Sequence, residues 1–197
     1  MEYIFIIISA ILVNNIVLAK FLGICPFVGV SAKTDTAVGM SGAVTFVMTI
    51  ATIVTWLINE YILIKGAFLV QYNLEFLQTI SFILVIASLV QLVELVLKKV
   101  SPPLYQALGI YLPLMTTNCA ILGVAIEASG AAEFGLLHSV VFAISNAIGF
   151  GLVLILFASM REHMDLVNIP KGMRGIPAAM IVAGILALAF MGFAGLV

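Results

Sequence analysis

The chain carries two cysteines, and both sit in one frame: "CPFVGV" from Cys25 to Val30 and "CAILGV" from Cys119 to Val124, a C-x-x-x-G-V pattern repeated 94 residues apart. Three chemistries compete for such a pair. Free Cys is a small buried hydrophobe in most proteins. A disulfide is possible, although a bridge inside a membrane has no evident stabilising role. Metal ligation is the third, and here the number of thiols matters, because an iron–sulfur cluster generally takes four Cys ligands. Two would hold half a cluster, so this reading demands a second, related subunit that brings the other pair.

The composition places these thiols in lipid. With 64% hydrophobic residues, 9% charged residues and a mean hydropathy of +1.30, a chain of 197 residues cannot clothe a water-soluble globule. Nucleic acid is excluded as a partner. The N-terminus "MEYIFIIISAILV" has no base before Lys20, lacks the n-region of a cleavable signal peptide, and reads as a retained span. Stretches long enough to cross roughly 30 Å of hydrocarbon occur at about 3–30, 38–58, 76–97, 104–126, 134–159 and 176–196. The fold class that follows is an all-α integral membrane protein of six transmembrane helices.

The connections orient it. Lys33, Lys98, Lys99, Arg161, Lys171 and Arg174 fall in the first, third and fifth, and Lys20 is counted with the first. The second has one Lys and two Glu, and the fourth, "EASGAAE", has two Glu and no base. The positive-inside rule then puts the odd connections in the cytoplasm and both termini outside.

The offset of 94 carries the start of span two onto that of span five, and each half holds three spans, repeat one being about 1–98 and repeat two about 99–197 of a single membrane domain. An odd number of spans makes the halves cross in opposite senses, the inverted-repeat architecture whose sites lie near the midplane. Helices one and four read as broken near the cysteines. Span one is long and holds Asn14, Asn15, Lys20, Gly23 and Pro26, with Pro26 taken as the interruption. Span four opens on "SPP", with Ser101 as N-cap and Pro102 and Pro103 in the first turn, then meets Pro113 and "TTNC". A proline kink patched by Thr hydroxyls is the plainer account of that segment. A redox centre at the midplane would split the crossing into two electron steps of about 15 Å.

Long stretches carry a resemblance. "LVNNIVLAKFLGICPFVGVSAK", "SPPLYQALGIYLPLMTTNCAILGVA", "IPKGMRG" and "LAFMGFAGLV" resemble the A-type family of membrane subunits of the Rnf ion-translocating electron-transport complex (the NqrDE/RnfAE family), from end to end. The E-type subunit of the sodium-pumping NADH:quinone reductase is the sister alternative. The resemblance implies a homologous, E-type membrane partner of opposite topology and one intramembrane [2Fe-2S] cluster held by two cysteines from each, here Cys25 and Cys119. It implies a subunit of an ion-translocating ferredoxin:NAD oxidoreductase in the cell inner membrane, coupled to Na+ or H+, with no complete active site and no flavin on this chain. A non-redox transporter is the alternative of a different class, since inverted repeats serve it equally.

Other polar residues inside the spans are candidates for an ion path. Glu94 is an intramembrane carboxylate, although Lys98 stands at i+4 for a salt bridge. Asn15 and Asn118, like Asn14, either line the cluster or ion path or satisfy backbone groups freed by the breaks. His138 and Asn146 read as partners in hydrogen bonds between helices.

Overall fold

The computed structural model describes residues 2–64, 75–100, 105–106, 112–130, 135–167, 170 and 172–195; the "SPP" segment at 101–103, with the expected cap at Ser101, and Lys65 and Lys171 lie outside them. The described residues are mostly helical, with no strand among them. Helix α1, Glu2–Ile8, widens into a π turn over Ser9–Val13, because the Asn14 N–H reaches back five residues to the Ser9 carbonyl at 2.7 Å. Helical geometry then stops until α2, Ile24–Val30. Among the described residues, three helices are long and apolar enough to cross a membrane: α3 (Thr34–Ile58, running on as a π turn over Asn59–Ile64), α4 (Glu75–Val100) and, after α5 (Leu112–Thr116) and α6 (Cys119–Gly130), α7 (Leu136–Asp165). Helix α8, Ile176–Met191, opens with Pro177 in its first turn and is shorter, about 24 Å at 1.5 Å per residue.

α3 and α7 pack most extensively on one another, with Met40, Val44, Val47 and Met48 against Phe150, Val153, Leu154 and Phe157 in the core. Small residues let them close: a Cβ on Gly151 would lie 3.1 Å from that of Ser41. The five hydroxyls of Ser41, Thr45, Thr49, Thr52 and Thr55 all bond the carbonyl four residues back, so α3 carries polar side chains without stranding a donor in an apolar setting. The outward faces of α4 and α8 are apolar, with Leu84, Leu95 and Leu188 at least 65% exposed, the pattern of a surface whose solvent is lipid.

Polar contacts gather at the two ends of α3, which are about 37 Å apart by its length. At one end, Thr34 Oγ1 donates to Glu162 at 2.5 Å, and the Arg161 guanidinium donates to the Val28 carbonyl at 2.7 Å and to Ser31 Oγ at 2.9 Å. At the other, the Asn59 amide donates to the Ser129 carbonyl at 3.0 Å, and Gln78 reaches both residues at 3.5 Å. The first and fifth connections therefore share one end of the molecule, and the second and fourth share the other.

Four expectations change. Pro26 is not the interruption: it lies in the first turn of α2, where its missing N–H costs no helical bond, and the break is upstream at Asn14–Gly23. Lys20 cannot be counted with the first connection, because its ammonium pairs with Glu127 of the fourth; Lys33, Lys98, Lys99, Arg161, Lys171 and Arg174 keep the charge asymmetry. The 94-residue offset is not held beyond the cysteines: α3 begins at Thr34 and α7 at Leu136, 102 apart, in part because α6 has 12 residues and α2 has 7. Asn146 bonds within its own helix, donating to the Phe142 carbonyl at 3.0 Å, and not to a neighbouring helix.

Candidate functional site

Each cysteine sits in the first turn of a helix that follows a non-helical stretch. For Cys25 that stretch is Asn14–Gly23, and Asn15 organises it: its Oδ1 accepts the Val17 N–H at 3.1 Å, while its amide donates to the carbonyls of Ile11 and Gly149, both at 3.0 Å. A short Asn turn bonding two residues ahead gives the backbone a partner once the helix ends. Gly23 completes the path with φ +80, a left-handed conformation that an L side chain disfavours, and starts α2.

For Cys119 the stretch is Thr117–Asn118. Asn118 makes the same turn, its Oδ1 accepting the Ala120 N–H at 3.0 Å. The hydroxyls of Thr116 and Thr117 both donate to the Pro113 carbonyl, at 2.7 and 3.1 Å, so that segment is patched by Thr hydroxyls and turned by Asn118.

The two segments meet. The Gly23 N–H donates to Cys119 Sγ at 2.9 Å, across 96 residues of chain. The contact between halves is also reciprocal in its packing: a Cβ on Gly123 would strike Leu22 at 2.7 Å, and one on Gly29 would lie 3.3 Å from Leu114. The glycine of each C-x-x-x-G-V frame thus receives a leucine from the approach to the other frame. Both thiols are free, Cys25 exposed and Cys119 half-buried. Beside Cys119, a cavity of about 260 Å³ opens between Ile83 and Ile86 of α4 and the Thr116–Cys119 turn. Asn118 Nδ2, on its wall, is buried and has no hydrogen-bond partner among the described residues.

These features can be tested against an iron–sulfur group. Thiol ligands commonly accept backbone N–H bonds, which tune the centre's potential, and Cys119 has one. A buried amide N–H with nothing to bond is costly, and sulfur bound to iron would supply an acceptor. No group of three or more His, Cys, Asp or Glu is found among the described residues, so any such centre draws the rest of its ligands from elsewhere. The residues fit half of a cluster.

Of the other candidates, Asn15 has its polar atoms engaged in holding the break. Glu94 does not pair with Lys98: Tyr105 stands between them, its hydroxyl 3.4 Å from the carboxylate and its ring face 5.9 Å from the Lys98 ammonium. A contact no sequence rule suggested joins Lys20 to both Glu127 oxygens, at 2.7 and 2.5 Å. Opposite charges 107 residues apart carry no local signal.

Known proteins match the chain from end to end. The family model described as "Rnf-Nqr subunit, membrane protein" matches residues 3–197. The A-type subunit of the "Ion-translocating oxidoreductase complex" of Syntrophotalea carbinolica is 55% identical, over 98% of this chain and 96% of its own. The A-type subunit of the "Na(+)-translocating ferredoxin:NAD(+) oxidoreductase complex" of Acetobacterium woodii is 52% identical, over 100% of this chain and 98% of its own. The corresponding ion-translocating oxidoreductase protein of Azoarcus sp. is 50% identical over 99% and 97%. A multi-pass helical membrane subunit is thus the class, and the chain belongs to the Rnf-Nqr subunit family.

Proposed function

We propose that this chain is the A-type membrane subunit of an ion-translocating ferredoxin:NAD oxidoreductase and holds half of a [2Fe-2S] cluster through Cys25 and Cys119. A homologous subunit of opposite topology supplies the other two thiols. When bound, the cluster supplies a one-electron relay near the middle of the membrane. The chain's own residues position it. Asn15 and Asn118 end the preceding helical turns, Gly23 donates its N–H to Cys119 Sγ, and Cys25 stands exposed where the partner would meet it.

The architecture proposed with it is six crossings in two inverted halves, the first and fourth broken at these turns. Helix α2 leaves the meeting point toward the Arg161 end and α6 leaves it toward the Ser129 end, so two helix N-termini converge there, as inverted halves require. The basic Arg161 end faces the cytoplasm by the charge rule, and the termini lie outside.

The Gly23 to Cys119 hydrogen bond carries the reading, since it joins the two cysteine segments at one place. The test is co-expression of the chain with its homologous partner, followed by assays for iron, acid-labile sulfide and the EPR signal of the reduced complex. Cys25→Ala and Cys119→Ala are each expected to abolish the signal. If both variants kept the signal and electron transfer, the assignment would be wrong, and a purified iron-free chain that moved a solute alone would make it a transporter.

A further inference from the structure

The two helices that carry a cysteine in their first turn are secured at their far ends in the same way. The last carbonyls of a helix have no partner within it. In α2, the Arg161 guanidinium donates through one nitrogen, Nη1, to the Val28 carbonyl at 2.7 Å and to Ser31 Oγ at 2.9 Å. In α6, the amide of buried Asn59 donates to the Ser129 carbonyl at 3.0 Å. Neither donor belongs to the half whose cysteine helix it meets. Arg161 lies on α7 and reaches α2, whereas Asn59 follows α3 and reaches α6.

Asn59 and Arg161 also occupy the same place in the two halves. Asn59 lies 25 residues beyond Thr34, where α3 starts, and Arg161 lies 25 residues beyond Leu136, where α7 starts. Each is followed by a glutamate, Glu60 and Glu162. We propose that Arg161 and Asn59 are a pair of positioning residues, each fixing the cysteine-bearing helix of the opposite half by a C-terminal carbonyl, so that each long helix sets the place of the other half's thiol.

The two clamps are unequal. Val28 is three residues, about 4.5 Å of helical rise, beyond Cys25, whereas Ser129 is ten residues, about 15 Å, beyond Cys119. Helix α2 has only seven residues, too few to hold its shape without tertiary contacts. Its second hold comes from the same helix as Arg161: Phe157, one turn earlier on α7, stacks on Phe27 with ring centroids 4.2 Å apart and 18° between the ring planes. A cation at the C-terminal end of α2 also meets the negative end of the helix dipole, which the neutral Asn59 does not offer α6. Cys119 has a further restraint in the Gly23 N–H. Loss of Arg161 therefore displaces Cys25 more than loss of Asn59 displaces Cys119. Placing the thiols around a cluster rests on the redox reading above; the holding of the two helices does not.

Two readouts on the purified intact complex separate these parts. Hydrogen–deuterium exchange with peptide mass spectrometry reads the helices. Arg161→Met is expected to speed exchange in residues 24–31 by about fivefold or more and to leave residues 119–130 unchanged, and Asn59→Leu is expected to do the reverse. The cluster is read by the component of the reduced EPR signal that Cys25→Ala removes. Under an iron chelator this component is expected to decay about fivefold faster in Arg161→Met and about twofold faster in Asn59→Leu. Its midpoint potential is expected to fall in Arg161→Met, where a positive charge is lost. Arg161→Lys should restore both properties, because one ammonium can serve the two acceptors that Nη1 serves. If Arg161→Met does not assemble, Phe157→Leu loosens the same helix and is expected to raise exchange in residues 24–31 about twofold. Wild-type exchange rates in these variants, or equal acceleration of both helices by each variant, would overturn the proposal. A wild type without the Cys25-dependent signal, but with helix-selective exchange in the variants, would sink the redox reading and leave the two clamps standing.

Discussion

The N–H of Gly23 points at the sulfur of Cys119 from 2.9 Å away, and no other residue type would hold that donor there without strain. At φ +80 a side chain is disfavoured, and a Cβ would lie 2.9 Å from the Phe150 ring and 3.1 Å from the Ala120 Cβ. Gly23→Ala is expected to destabilise the protein by roughly 2–4 kcal/mol, from backbone strain and overpacking together. A thermal melt of the assembled complex indistinguishable from wild type would contradict this.

Asn118 separates capping from donation. Asn118→Asp keeps the oxygen that accepts the Ala120 N–H and removes the buried, unpartnered Nδ2. If Nδ2 donates to the bound centre, the midpoint potential in an EPR-monitored titration falls by at least roughly 40 mV, the one-electron equivalent of a hydrogen bond worth about 1 kcal/mol. An unchanged potential would show that the amide serves only the turn.

For Asn15 the order of two variants is diagnostic. Asn15→Ala strands the carbonyls of Ile11 and Gly149 and the N–H of Val17 in a buried setting, at a cost of roughly 2–3 kcal/mol. Asn15→Asp keeps the acceptor but turns the donor to both carbonyls into an oxygen, so its melting temperature is expected to fall below that of the alanine variant.

Leu22 and Gly123 form a contact that a double-mutant cycle can isolate. Gly123→Ala puts a methyl 2.7 Å from Leu22 Cδ1 and is expected to cost roughly 1–3 kcal/mol. Adding Leu22→Ala removes the clash, so the double variant should be more stable than the sum of the single losses. Simple additivity would mean that the two side chains do not press on one another.

The two polar ends of α3 give a labelling test. Cysteines introduced at Lys33 and Glu162 are expected to react with an impermeant maleimide from one side of sealed vesicles, and cysteines at Gly130 and Glu60 from the other. Labelling of Glu162 and Gly130 from the same side would break the arrangement.

How much could be read from the residues depended on the range of the signal. Helical class and the spans at α3, α4 and α7 follow from run length and composition, and the structure has them. The two cysteine frames were visible as a repeat, whereas the Gly23 to Cys119 bond depends on a positive φ that no pattern announces. Pro26 misled because proline both breaks helices and suits their first turn, and only the path upstream, fixed by Asn15 and Gly149, decides which. Glu94 and Lys98 satisfied the i+4 rule, but each meets Tyr105 instead, a residue seven positions beyond Lys98. Lys20 was assigned by its neighbours in sequence, and its partner proved to be 107 residues away.

The long-range partners of the stretch from Asn15 to Val28 all lie far downstream: Cys119, Glu127, Gly149 and Arg161. During synthesis the first cysteine therefore enters the membrane long before its surroundings exist. Its final setting is completed only when the chain through Arg161 has been inserted, which places maturation of this site after translation of at least the first 161 residues.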